Sequence, residues 1–205
     1  MLKSRLEAFS DGVLAIIITI MVLALQVPKA PTWQAIVALW PIFLSYALSF
    51  LYVGIYWSNH HHLFQAARSV NGGVLWANLH LLFWLSLLPF TTAWMGENEF
   101  ARIPMLLYGL DLLLCAVAYY ILQLQLATHH GPQSAFTQAL GRDVKGKASL
   151  VLNMAGLVAT WVVSPRLGFA AFTTVALLWL IPDARMVRAY NEHVTADEAR
   201  KETTH

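Results

Sequence analysis

The chain of 205 residues is 58% hydrophobic and only 12% charged, with a formal net charge of +2 at pH 7. Soluble domains carry about a quarter charged residues, so this balance excludes an ordinary water-soluble globule, and so small an excess of positive charge gives no footing for nucleic acid. The apolar runs are continuous rather than alternating, which excludes a membrane β-barrel and leaves an all-α membrane protein.

A helix that crosses a bilayer needs about 20 mostly apolar residues. Six such runs are expected, near residues 5–26, 34–57, 74–95, 103–127, 148–164 and 167–182. They divide the chain into a six-helix transmembrane domain, 1–182, and a charged tail, 183–205. Lys3 and Arg5 precede the first run as they would in a secretory signal, but Glu7 and Asp11 are foreign to one and no small-residue cleavage site follows. The run is therefore read as a retained first helix. Ser4 followed by Glu7 fits a capping box that starts this helix before Ser10 and Asp11, with Ser10 or Asp11 as the alternative cap.

At about 100° per residue, Gly12, Ile16, Thr19, Ile20, Leu23 and Val27 share one face of the first helix. Such a face is open to two readings. It can be lipid or helix contact, with Thr19 bonded back to its own turn. It can also line a pore, with rings of Ile and Leu gating by dewetting and a ring of Thr hydroxyls offering oxygen to a cation. Periodicity does not choose between them.

The second run ends in "YWSNHHHLF". Three consecutive histidines fan out around a helix and do not converge on one metal ion; hydrogen bonding between helices or tuning by pH suits them better. Trp33, Trp57, Trp76 and Trp94 fall near expected span ends, where aromatic belts form, and Pro41, Pro89 and Pro104 are candidate kinks. In the fourth run Asp111 is an acid deep in an apolar segment, either functional or hydrogen-bonded to a neighbour such as Tyr108. The single Cys115 lies in the same run and has no partner for an intrachain disulfide. Residues 128–147, with Gly131, Pro132, Gly141 and Gly146, are expected to form a flexible connector with His129 and His130 solvated. A Ser164-Pro165-Arg166 corner joins the last two runs.

Ten basic residues (Lys3, Arg5, Arg68, Arg142, Lys145, Lys147, Arg185, Arg188, Arg200 and Lys201) fall on the side of the termini, against Lys29, Arg102 and Arg166 on the other. By the positive-inside rule both termini are expected in the cytoplasm. No nucleophile elbow and no Gly-rich phosphate loop is present, so an enzyme is not expected.

Arg5, Phe9, Ser10 and Asp11 spell R-x-x-x-F-S-D, followed by a small residue and a helix rich in Ile and Leu. This resembles the signature that opens the first helix of the transmembrane protein 175 family, the lysosomal potassium channels and their prokaryotic relatives. The motif occurs once here, which the resemblance associates with the prokaryotic, single-repeat type: a homotetramer in the cell membrane, with the first helix of each subunit lining a central pore. It implies a constriction at Ile16, with Ile20 and Leu23 further along, and selectivity at Thr19. Ala15 stands where some relatives carry Ser, and no T-V-G-Y-G filter is present, so selectivity for potassium is expected to be modest.

Arg5 and Asp11 lie six residues apart and do not face each other on one helix, so each needs a partner elsewhere. The resemblance implies a polar network around Arg5 drawn from Trp57, His61 or His62, His80 and Trp84. No cofactor is implied beyond permeant monovalent cations. The alternative is a proton-coupled transporter or a proton-conducting path centred on Asp111 and the histidines.

Overall fold

The structure, a computed structural model, is all-helical over the residues it describes: 3–134, 137 and 143–180. The expected tail, with Arg185, Arg188, Arg200 and Lys201, lies outside the described residues, as do Gly141 and Arg142. In chain order the helices are α1 (Lys3–Leu23), α2 (Trp33–Val37), α3 (Trp40–Ala66), α4 (Gly72–Leu85), α5 (Leu88–Glu97), α6 (Arg102–His130), α7 (Val144–Val162) and α8 (Pro165–Leu180).

Prolines and short polar caps set most of these boundaries. Thr32 caps α2 by accepting from the Ala35 N–H, and Pro41 occupies the first turn of α3. Asn71 caps α4 through the Val74 N–H at 2.9 Å. Pro89 sits in the first turn of α5, and its missing N–H interrupts the ladder that would otherwise fuse α4 with α5. Gly131, at φ 84°, ends α6 with its N–H on Ala127 O. Asp143 caps α7 by accepting from Gly146 N–H at 3.0 Å.

Four segments among the described residues are long and apolar enough to cross a membrane: Lys3–Leu23, Trp40–Ala66, Gly72–Glu97 (α4 with α5) and Arg102–His130. The last two expected spans form the hairpin α7–α8. At 16 residues, α8 rises only about 24 Å. The second span differs from expectation more. Residues 33–37 form a separate short helix and the long helix runs on to Ala66, because neither Gly nor Pro interrupts it between Ile55 and Ala66. "YWSNHHHLF" therefore lies wholly inside α3, running past the expected end of the second run at 57. His129 and His130 are not in a flexible connector; they form the last turn of α6. Ser4, expected as a cap, lies inside α1, and Glu7 pairs with Lys3 at 3.9 Å.

The core is held by apolar packing and a few hydrogen bonds between helices, which have no water to compete with inside a bilayer. Thr92 Oγ1 donates to Ser49 Oγ at 2.7 Å, and Ser49 Oγ donates to Tyr108 Oη at 3.1 Å, joining α5, α3 and α6. Tyr52 Oη donates to the Phe172 carbonyl at 2.6 Å, joining α3 to α8. The fully buried Phe172 ring fills a slot between α6 and α7. A Cβ added at Gly109 would run into that ring, and one at Gly156 would lie 2.7 Å from it.

Gly109→Val should therefore overpack this slot and destabilise the fold by about 1–3 kcal/mol, seen as a lower midpoint of thermal unfolding in detergent. Gly54→Ala, which meets nothing within 4 Å, should leave the midpoint unchanged or raise it.

Candidate functional site

The first helix has two unlike faces. Leu6, Ser10, Leu14, Ile17 and Met21 recur every three or four residues and are buried against α3, α4 and α5. The opposite face is bare in the single chain. Ile16, Ile20 and Leu23 are 58%, 49% and 82% exposed, Thr19 is exposed beside them, and a Cβ at Gly12 would meet nothing within 4 Å. Of the residues expected to share a face, Gly12, Ile16, Thr19, Ile20 and Leu23 do, and nothing among the described residues covers them; Val27 lies beyond the end of α1. Thr19 Oγ1 donates to Ile16 O at 2.8 Å. That bond uses the hydroxyl proton, so the oxygen presents lone pairs on the bare face.

The motif residues have different surroundings. Ser10 is fully buried and donates to Leu6 O at 2.9 Å, so toward other helices its oxygen acts as an acceptor. Asn78 Nδ2 of α4 donates to it at 2.9 Å, and Asn78 Oδ1 in turn accepts from His60 Nε2 of α3 at 2.7 Å. A chain of donors thus runs from His60 through Asn78 and Ser10 to Leu6 O, tying three helices together with each role fixed by its neighbour. Asp11 faces outward and accepts from Trp57 Nε1 at 3.0 Å. The Trp57 indole stacks on His61, with centroids 6.0 Å apart and planes at 16°.

Of the residues expected around Arg5, none bonds it among the described residues: Trp57 goes to Asp11, with His61 stacked on the Trp57 ring. His80 and Trp84 instead bond each other along α4, Trp84 Nε1 donating to His80 Nε2 at 2.9 Å. His62 is half-buried beside His61. Phe9 and Arg5 are exposed, and Arg5 makes no hydrogen bond or ion pair among the described residues. Asp111 is buried in α6. Its Oδ2 accepts from Thr91 Oγ1 at 3.0 Å, while Oδ1 has no partner among the described residues.

Sequence reasoning assigned no structural role to Asn78 or Lys3 and did not single out His60 from its neighbours. Asn78 was findable, as a lone amide in the apolar run "VLWANLHLLFWLSLL". Choosing among His60, His61 and His62 needed the rotation of α3, which the sequence does not give. Lys3 Nζ donates to the Phe64 and Ala67 carbonyls at 2.8 and 3.0 Å, where α3 ends.

The sequence model of the endosomal/lysosomal potassium channel TMEM175 matches residues 5–89, from the motif Arg5 through α4 and into α5. A potassium channel of Chryseobacterium sp. (strain P1-3) is 49% identical over 94% of this chain and 100% of that protein. The endosomal/lysosomal proton channel TMEM175 of Mus musculus is 36% identical over 50% of this chain but only 22% of its own length. Among solved structures, the crystal structure of a lysosomal potassium-selective channel TMEM175 homolog from Chamaesiphon minutus superimposes with a TM-score of 0.76 at 26% identity, covering 87% of this chain and 96% of that one. With the motif, the helical fold and a full-length relative in agreement, the chain belongs to the TMEM175 family, whose members are ion channels and not enzymes.

Proposed function

We propose that the chain is one subunit of a homotetrameric, potassium-permeable channel of a cell membrane, with six spans per subunit, both termini cytoplasmic and α1 lining the pore. The observation that carries this reading is the bare stripe of α1. A helix that buries Ser10 with two neighbours yet leaves Ile16, Thr19, Ile20 and Leu23 uncovered has a second surface with no occupant among the described residues. Copies of the stripe around a four-fold axis would set Ile16, Ile20 and Leu23 as hydrophobic rings, with Thr19 as a polar collar whose lone pairs suit a partly dehydrated cation.

The rings from Ile16 to Leu23 span about 10 Å of axis, a dry stretch that blocks ions until the helices rotate or splay. Selectivity then rests on one hydroxyl layer and is modest. The name of the full-length bacterial relative supports potassium as the permeant ion. The Ser10–Asn78–His60 chain and the Asp11–Trp57 pair anchor the helix that carries the rings.

A proton path is the second reading, favoured by the mammalian relatives' name and by Asp111 Oδ1, which has no partner among the described residues. It assigns Asp111 and the histidines to proton transfer. Asp111→Asn would then abolish flux while Ile16 variants would be nearly silent.

Reconstituted bilayer currents in mixed potassium and sodium solutions test the first reading. Ile16→Asn should raise conductance by wetting the constriction, and Thr19→Val should lower the potassium-to-sodium ratio with current retained. Unchanged currents in Ile16→Asn, or a tetramer whose first helices face lipid, would sink the assignment. Asn78→Leu should strip Ser10 and His60 of a buried partner, cost about 1–3 kcal/mol and lower the thermal midpoint of the reconstituted protein.

A further inference from the structure

The segment 67–71, between α3 and α4, is gripped from two sides. From one side Lys3, the first described residue of α1, donates to Phe64 O and Ala67 O at 2.8 and 3.0 Å. From the other, the last two residues of α6 hold it with imidazole rings. Arg68 N–H donates to His130 Nε2 at 3.0 Å, while His130 Nδ1 bonds Leu126 O at 2.8 Å. His129 Nε2 lies 3.0 Å from Ser69 Oγ, and its Nδ1 lies 3.2 Å from Asn71 Nδ2.

These contacts set which nitrogen of each ring accepts. A backbone N–H only donates, so His130 Nε2 is an acceptor and its proton is on Nδ1, toward Leu126 O. Asn71 Oδ1 is committed to the Val74 N–H as the cap of α4, so the group facing His129 is the donor Nδ2. His129 Nδ1 is therefore an acceptor and Nε2–H donates to Ser69. Each ring thus has a donor aimed at one of its nitrogens. A second proton on either ring sets N–H against N–H. Asn71 has no easy escape, since turning its amide would uncap α4.

We infer that segment 67–71 is a proton-sensitive latch on the first helix: protonation of His129 and His130 releases it, and with it the carbonyls that hold Lys3. The new charges would fall near Arg68 on the segment itself and near Lys3 of α1, whose ammonium is also paired with Glu7. From α7, which packs on α6, come Lys145 and Lys147 in its first turn, with its cap Asp143 lining the same cavity as Gln123. Arg68 and Lys3 add repulsion to the lost hydrogen bonds, so acid loosens the latch. Because α1 carries the proposed constriction, losing Lys3 removes one of the restraints that, with Ser10 and Asp11, hold its first half. Rotation toward an open ring then becomes easier and current rises.

The inference rests on the channel reading for its electrical consequence and on the proposed orientation for the side that senses acid. The test separates these from the latch itself. The full chain is reconstituted, and each side is taken in turn from about pH 8 to about pH 5.5, the range over which imidazole changes charge. Acid on the side of the termini should raise potassium current about tenfold, the factor that one to two net hydrogen bonds are worth; acid on the other side should do nothing.

His129→Gln with His130→Gln, which keep neutral polar groups there, should abolish the response. Lys3→Met should give high current at both pH values. Hydrogen exchange at the Arg68 amide, corrected for intrinsic rates, reads the latch without any current. Its protection should fall in acid in the native chain and persist in the double variant. Unchanged Arg68 protection, or an acid response kept by the double variant, would overturn the inference. Absence of current together with acid-labile Arg68 protection would instead uphold the latch and overturn the channel reading.

Discussion

A hydroxyl buried between helices in a bilayer must find its partners within the protein, and Ser10 is such a hydroxyl. With its proton on Leu6 O and its lone pair on Asn78, it has one orientation that leaves nothing unsatisfied, and that orientation fixes the rotation of α1 about its axis. Losing one of these bonds would leave a buried polar group unpaired, at about 1–3 kcal/mol. Few apolar contacts specify an azimuth so sharply, because aliphatic side chains tolerate small rotations at little cost.

Fixing Ser10 fixes the rest of the helix. Thr19 is nine residues on, about two and a half turns, and so lies diametrically opposite Ser10. Ile16, Ile20 and Leu23 flank it. The motif and the stripe are thus two ends of one geometric statement: a polar group turned inward at Ser10 turns a hydroxyl outward at Thr19. Leu14, Ile17 and Met21 on the buried side keep the same phase along the helix, so the inward face stays packed while the outward face stays bare.

How much of this could be read from the sequence depended on the kind of signal. The stripe was legible because helical periodicity needs only local spacing, and the four long spans because hydropathy is a property of runs. Asp11, too, was legibly in need of a partner on another helix. What the hydropathy run missed was the end of α3: the apolar run stops near residue 57, yet no residue of "NHHHLF" breaks a helix, and α3 continues to Ala66. The choice of His60 over its two neighbours depended on helix rotation, and the hold of His129 and His130 on segment 67–71 depended on pairs about 60 residues apart. Neither leaves a local pattern. The α4–α5 break was half legible, since Pro89 marked it without saying whether the helix kinks or restarts.

The polar restraints on α1 are unevenly spread along it. Lys3, Ser10 and Asp11 all hold its first half, to α3 and α4, whereas past Leu23 one hydrogen bond, from Gln26 Nε2 to Glu97 Oε1 at 3.2 Å, reaches α5. A helix held this way tilts about its fixed end. Leu23 is about 20 Å from Ser10 and Ile16 about 9 Å, so a tilt of about 10° carries Leu23 about 3 Å sideways and Ile16 only about 1.5 Å. In the proposed channel the outer ring therefore widens readily and the ring at Ile16 barely moves. Wetting Ile16 requires α1 to rotate rather than tilt, and rotation is the motion that the Ser10–Asn78–His60 chain opposes. A constriction placed close to the anchor is thus the last ring to open, a consequence of lever length along the helix.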